Sequence, residues 1–309
     1  MAKLSRPRHG SLQFWPRKRA EKTIPSVNWA HIAGEGILGF IAYKVGMATA
    51  IVKDATEHSM SKGKKIFIPV TVLETPCMKL YSIRFYKDGR VIKEIVVSNE
   101  PLLKRILRVP KQLPPFEPPA TYDSIRAIVY SLPSQTGIKK TPDVAEVAFG
   151  GKNIETLKSL IGKEISVQDV VKYPLLDVRG LTKGKGLEGT LPRFGIELKQ
   201  HKTEKGVRRP GSLAPWHPAR VTFRTPQAGQ LGMFSRVHYN IKVITSGNSA
   251  EKSINPGTGF KHYGKVKSSY LVVQGSVQGP PKRQILITPA FRPTKGQAKK
   301  KYEFQELII

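Results

Sequence analysis

Eleven cationic side chains lie between residues 180 and 236: Lys183, Lys185, Arg193, Lys199, Lys202, Lys205, Arg208, Arg209, Arg220, Arg224 and Arg236. Only Glu188, Glu197 and Glu204 oppose them. Charge at that density cannot pack on a protein core. It can pack on phosphate, because each Lys or Arg brought near a phosphate releases condensed counterions. In the middle of the stretch stands Pro215-Trp216-His217-Pro218. A tryptophan between prolines in a cationic loop has little apolar surface to hide under, and stacking on a nucleobase is a use for it. His217 is suited to donate to phosphate or backbone. A second cluster interleaves Arg6, Arg8, Arg17, Lys18 and Arg19 with Phe14 and Trp15. The candidate RNA-binding residues are these seven together with Lys183, Lys185, Arg193, Lys202, Lys205, Arg208, Arg209, Trp216, His217, Arg220, Arg224 and Arg236.

The whole chain supports that chemistry. Its 309 residues carry 52 Lys and Arg against 22 Asp and Glu, a net charge of +30. Self-repulsion at this charge opposes compaction unless a polyanion neutralises it. A membrane partner is not expected: no basic amphipathic helix stands out, no apolar run approaches spanning length, and the N-terminus lacks the apolar stretch of a signal peptide. Cys77 is the only cysteine, so a cysteine-based metal cluster and an internal disulfide are excluded, which suits a reducing cytosol. Residues 184–189, GKGLEG, fit G-x-G-x-x-G, but a dinucleotide site needs a helix to begin there, and Pro192 and Gly195 follow at once. Those glycines are better suited to close approach of backbone and RNA. None of the seven histidines pairs at helical metal-ligand spacing, and no nucleophile–base or paired-carboxylate constellation stands out. No catalytic residue, metal, cofactor or small-molecule substrate is expected.

The elements that must position these residues are mainly β. Residues 37–54 read as two strands with a turn or bulge at Gly46, and IFIPVTVLET as another strand. LYSIRFY and VIKEIVVS flank Lys87-Asp88-Gly89-Arg90, where Asp-Gly signals a hairpin. Composition shifts after Ser98: Asn99-Glu100-Pro101 predicts a helix start into LLKRIL, and 110–119 holds five prolines. SIRAIVY alternates as a strand does, Asn153 is placed to cap IETLKSLI, and Ser166 to cap VQDVVKY. LLDVRG, HYNIKVITSG, SYLVVQGSVQG and QILITPAFRP supply further strands, and FQELII could pair after the basic run 299–301. The stretch 180–236, with nine glycines and five prolines, holds neither helical nor strand period and reads as a long functional loop.

The segments RPRHGSLQFWPRKRA (6–20), AYKVGMATAIVKD (42–54), VTVLETPCMKLYSIRFY (70–86), GLTKGKGLEGTLPRFG (180–195), RRPGSLAPWHPARV (208–221), QAGQLGMFSR (227–236) and GSVQGPPKRQILITPAFRP (275–293) together resemble the large-subunit ribosomal protein L-three family in its archaeal and eukaryotic form. They span nearly the whole chain in the family's order. The resemblance implies a mainly β fold with an α+β insertion, built on a closed six-stranded barrel similar to that of translation factors. It implies a basic N-terminal extension (1–35), barrel strands in 36–98, 173–179 and 237–309, the insertion at 99–172, and an rRNA-penetrating finger at 180–236. It further implies large-subunit rRNA and neighbouring ribosomal proteins as partners, early action in subunit assembly, a cytoplasmic place in the large subunit, and a finger tip, at Trp216, near the peptidyl-transferase centre. Two departures stand out: the family's GYK-x-GMT reads AYK-x-GMA at 42–48, and Glu204 occupies the position of a histidine that eukaryotic members methylate.

Two other readings make different demands. An RNA-modifying enzyme needs a cofactor pocket, for which 184–189 is a poor match. A DNA-binding protein needs a helix or ribbon for the major groove, and none is evident. The extensions, lacking apolar periodicity, are expected to gain order only on RNA.

Overall fold

The computed structural model describes residues 10–151, 154–170 and 172–308; Arg6, Arg8, His9 and the proposed Asn153 cap lie outside these. The chain divides into two compact units, one formed by Lys22–Gly180 with Arg236–Ile309 and the other by Met1–Glu21 with Leu181–Ser235.

In chain order the strands are β1 (Gly36–Ile37), β2 (Phe40–Asp54), β3 (Lys65–Glu74), β4 (Met78–Lys87), β5 (Arg90–Val96), β6 (Ser124–Ser131), β7 (Val144–Gly150), β8 (Leu175–Leu181), β9 (Gly186–Glu188), β10 (Gly229–Leu231), β11 (Ser235–Asn248), β12 (Ser269–Gln274), β13 (Gln284–Pro289) and β14 (Tyr302–Ile308). Helices are short: α1 (Ile154–Ser159), α2 (Val167–Val170), α3 (Thr190–Phe194) and α4 (Lys295–Lys299). The protein is therefore mainly β, as expected. None of the described helices is long and apolar enough to cross a membrane.

The larger unit contains two antiparallel sheets. One runs β13-β8-β11-β12-β3-β2-β14, with β13 also paired to β2. The other runs β1-β7-β6-β4-β5. Barrel strands are expected in 36–98; within that range β4 and β5 pair with each other, and β4 pairs with β6 of the expected insertion, so residues 78–96 and 124–150 share one sheet. The β4–β5 turn is the Asp88-Gly89 pair, with φ of +49° and +73°; two positive φ values match the twist of a tight hairpin. Residues 40–54 form one strand, with a bulge between Lys44 and Gly46 where the register to β3 shifts. The helix expected at LLKRIL is a single 3-10 turn over Pro101–Arg105, its Leu103 fully buried.

Burial follows the strand period. In the seven-stranded sheet Ala50, Val52, Ile68, Val70, Val72, Ile244 and Val272 form one core with Tyr270 and Phe260. A larger core joins both sheets through Phe40, Ile41, Tyr43, Leu73, Met78, Ile83, Phe85, Val129, Val147 and Leu286. Each such side chain, fully withdrawn from water, contributes about 1.5–3 kcal/mol. Trp29, on a 3-10 turn capped by the Asn28 side chain, and Ile32 belong to this core. Residues 22–35, expected to be part of the N-terminal extension, thus join the larger unit.

Among the described residues three buried side-chain oxygens, on Thr75, Asn240 and Gln278, have no hydrogen-bond partner, whereas the buried Glu74 is fully engaged. The wholly buried Glu74 carboxylate accepts from Lys267 N at 2.8 Å, from Ser268 N at 2.9 Å, from Ser268 Oγ at 3.0 Å and from the Tyr263 hydroxyl. Burial, then the Glu74 charge, pushes the Tyr263 phenol far above its ordinary value. Asn255 closes the same loop by accepting from Val266 N at 2.7 Å and donating to Val266 O at 2.9 Å.

Candidate nucleic-acid interface

In the smaller unit the chain pairs β9 with β10, matching Gly186 with Leu231 and Glu188 with Gly229. Gly232 permits the close passage beside it: its φ is +80°, and a Cβ there would lie 1.9 Å from the Lys183 carbonyl oxygen. After α3, residues 196–228 contain neither helix nor strand. Their backbone is not organised by periodicity, as the composition predicts.

An aromatic–guanidinium knot organises this unit. Phe194 is 6% exposed, with the Arg17 guanidinium 4.2 Å and the Arg193 guanidinium 5.2 Å from its ring centroid. Trp15 packs on Phe194 at 6.0 Å and on Phe223 at 6.2 Å between centroids. Arg193 Nε donates to Gln230 O at 3.0 Å, Nη1 to Gln227 O at 2.8 Å and Nη2 to Arg17 O at 3.1 Å. Arg17 Nη1 in turn donates to Arg193 O, and Ala20 N to Met233 O at 2.9 Å. Residues 10–21 and the finger therefore share an apolar and hydrogen-bonded centre within the protein itself. The expectation that they gain order only on RNA did not foresee it, because the contacts join residues some 176 positions apart.

This divides the candidate residues into two groups. Arg17, Arg193 and the half-buried Trp15 hold the unit together, and burial pulls the Arg193 pKa down. By contrast Lys183, Lys185, Lys202, Lys205, Arg208, Arg209 and Arg220 are exposed and enter no ion pair among the described residues. Lys18 pairs with Glu21 at 3.4 Å, Arg19 is exposed, and Phe14 is half-exposed. Arg224 lies over the exposed Phe223 ring at 5.7 Å. Arg236 is partly buried in the larger unit, and burial lowers its pKa. Trp216 is 87% exposed, with the His217 ring edge-on to it, 6.2 Å away. Arg208 and Arg209 line an open cleft with Gly189, Thr190, Leu191 and Gln227. Among the described residues no three His, Cys, Asp or Glu side chains gather to hold a metal ion.

Sequence reasoning missed Phe194 and Phe223. Their signal was adjacency: Arg193-Phe194 and Phe223-Arg224 repeat the aromatic–arginine pattern of Phe14-Trp15 and Arg17. A stacked guanidinium remains planar and charged while covering a ring face.

Arg193→Ala is expected to loosen residues 10–21. Amides there should exchange hydrogen at least about fivefold faster, the loss of three hydrogen bonds being worth roughly 1–3 kcal/mol. Equal exchange in variant and parent would contradict the knot.

A mainly β body together with an irregular unit whose exposed cations meet no acidic partner among the described residues has the charge distribution of a protein suited to a polyanion. The sequence profile described as ribosomal protein L3 matches residues 1–94 and 120–307 of the chain. The unmatched stretch 95–119 contains the proline-rich run. The chain is 40% identical over 313 residues to the large ribosomal subunit protein uL3 of Archaeoglobus fulgidus, covering 95% of this chain and 94% of that one. It is 35% identical to the uL3 protein of Methanocaldococcus jannaschii (94% and 92% covered) and 37% identical to that of Methanococcus aeolicus (94% and 92%). The chain belongs to the ribosomal protein L3 family, in its archaeal form, and with it to a family of structural, non-enzymatic proteins.

Proposed function

We propose that the protein is a structural constituent of the cytoplasmic large ribosomal subunit, binding large-subunit rRNA through its cationic unit and supporting subunit assembly. One observation carries this reading: the exposed lysines and arginines of 183–220 have no acidic partners among the described residues, and the same stretch of chain holds the exposed Trp216. Recognition would be of phosphate and shape, with a few stacked bases. The cleft at Arg208 and Arg209 is a suitable recess for a phosphate or an unstacked nucleotide. Trp216 would be the tip of a finger directed at the peptidyl-transferase centre. Arg6 and Arg8 would extend the same footprint. The pairing of β13 with both β8 and β2 supports reading β2, β3, β12, β11, β8 and β13 as a closed barrel. Neighbouring ribosomal proteins complete the partners; no membrane or small-molecule substrate enters.

The test is sedimentation: the tagged chain should remain with large subunits after a high-salt wash, and its presence in the free fraction alone would sink the proposal. The tip has its own test. Trp216→Ala should weaken rRNA binding by about 5–150-fold, one base stack being worth roughly 1–3 kcal/mol. Because Trp216 is exposed, the Tm of the free protein should hold within about 1 °C. A large fall in Tm with unchanged RNA affinity would make Trp216 a core residue instead.

A further inference from the structure

The outer face of β14, β2 and β3 differs from the rest of this cationic chain. Residues directly opposed in antiparallel strands share a face. The registers Glu306↔Ile51 and Ile51↔Phe67 therefore place three side chains in one row, and Ile308↔Thr49 and Thr49↔Pro69 form the next. Met47 follows beyond them on β2. The alternate residues Ala50, Val52, Ile68 and Val70 point the other way into the core. Phe67 is left 66% exposed, Met47 50% and Ile308 46%.

The border of this patch is balanced in charge. Lys53 lies 4.0 Å from Glu303, and Lys65 stands opposite Lys53 on β3. With Glu306 that makes two acids and two lysines, in a chain of net charge +30. Neither the Glu306 nor the Lys65 side chain has an ion-pair or hydrogen-bond partner among the described residues. Apolar side chains offer nothing to phosphate, so RNA is a poor occupant. A Phe and Met centre with a charged rim has the anatomy of a protein–protein contact.

We propose that this face docks a second ribosomal protein of the large subunit, one presenting an apolar centre, a lysine or arginine opposite Glu306 and a carboxylate opposite Lys65. The inference rests on the reading of the chain as a large-subunit constituent.

The test places the photo-crosslinking residue p-benzoylphenylalanine at Phe67, and separately at Met47, in the full chain. Large subunits carrying either variant are purified and irradiated, and adducts are identified by mass spectrometry. Both positions should give an adduct with the same ribosomal protein. Adding Glu306→Arg and Lys65→Glu should lower its yield at least about tenfold, since like charges brought together across an interface cost several kcal/mol. Adducts with rRNA, with a second copy of this chain, or with no protein at all would overturn the proposal. If the chain still sediments with the subunit in those cases, the broader reading stands. If it does not sediment, both readings fall.

Discussion

Glu74→Ala should lower the stability of the larger unit by roughly 3–5 kcal/mol, because each buried donor left without its acceptor costs about 1–3 kcal/mol and local relaxation recovers a part. Four donors from 263–268 converge on this one carboxylate, and the side chain has no exposure to water. The corresponding fall in Tm is about 6–20 °C. Scanning calorimetry of the free protein measures it directly. Glu204→Ala, on an exposed residue, is the control and should shift Tm by no more than about 1 °C. Glu74→Gln keeps one acceptor oxygen and should fall between the two. If Glu74→Ala were no worse than the control, the loop 255–268 would not depend on this carboxylate.

The affinity of the free protein for large-subunit rRNA should drop by about 10³–10⁵ between 50 and 200 mM salt, the loss typical of 6–10 phosphate contacts. The expectation comes from the exposed cations of 183–220, eight with Lys199, which enter no ion pair among the described residues. Log affinity against log salt should be a straight line, shallower by about 1.5–2 in the double variant Arg208→Gln, Arg209→Gln. Arg193→Ala should leave that slope unchanged, because its guanidinium donates to three carbonyls of the protein itself. Filter binding over a salt series separates these cases. A flat line would end the polyanion reading, and a slope lowered by Arg193→Ala would return that residue to the phosphate contacts.

Local signals in the sequence were reliable. Asp88-Gly89 announced its hairpin because two positive φ values demand those residue types. Gly46 marked the bulge where the register of β2 against β3 shifts. Charge without periodicity marked 180–236 as irregular and cationic. What could not be read was pairing between distant segments. The strand runs 78–96 and 124–150 look like those of the other sheet, and only tertiary packing decides which edge each joins. The knot of Arg17, Arg193, Trp15 and Phe194 was hidden in the same way: cations that look like phosphate ligands in one dimension turn out to be spent on carbonyls and rings. Glu74 did leave a trace. It falls in register with Val70 and Val72, and a carboxylate on an apolar face implies donors waiting opposite it.

The double pairing of β2 sets a timetable for the newborn chain. Its partner β3 follows within a few residues, but Tyr43 must wait for Gln284 and Asp54 for Tyr302. Those residues emerge roughly 240 positions later, on the order of 10–50 s at about 5–20 residues per second. For that interval the far edge of β2 is an open template of unpaired amide and carbonyl groups, bordered by Phe40 and Ile41. A protein whose chain carries +30 charges is synthesised among nucleic acids with its longest strand half-finished. That edge closes only when the last tenth of the chain arrives.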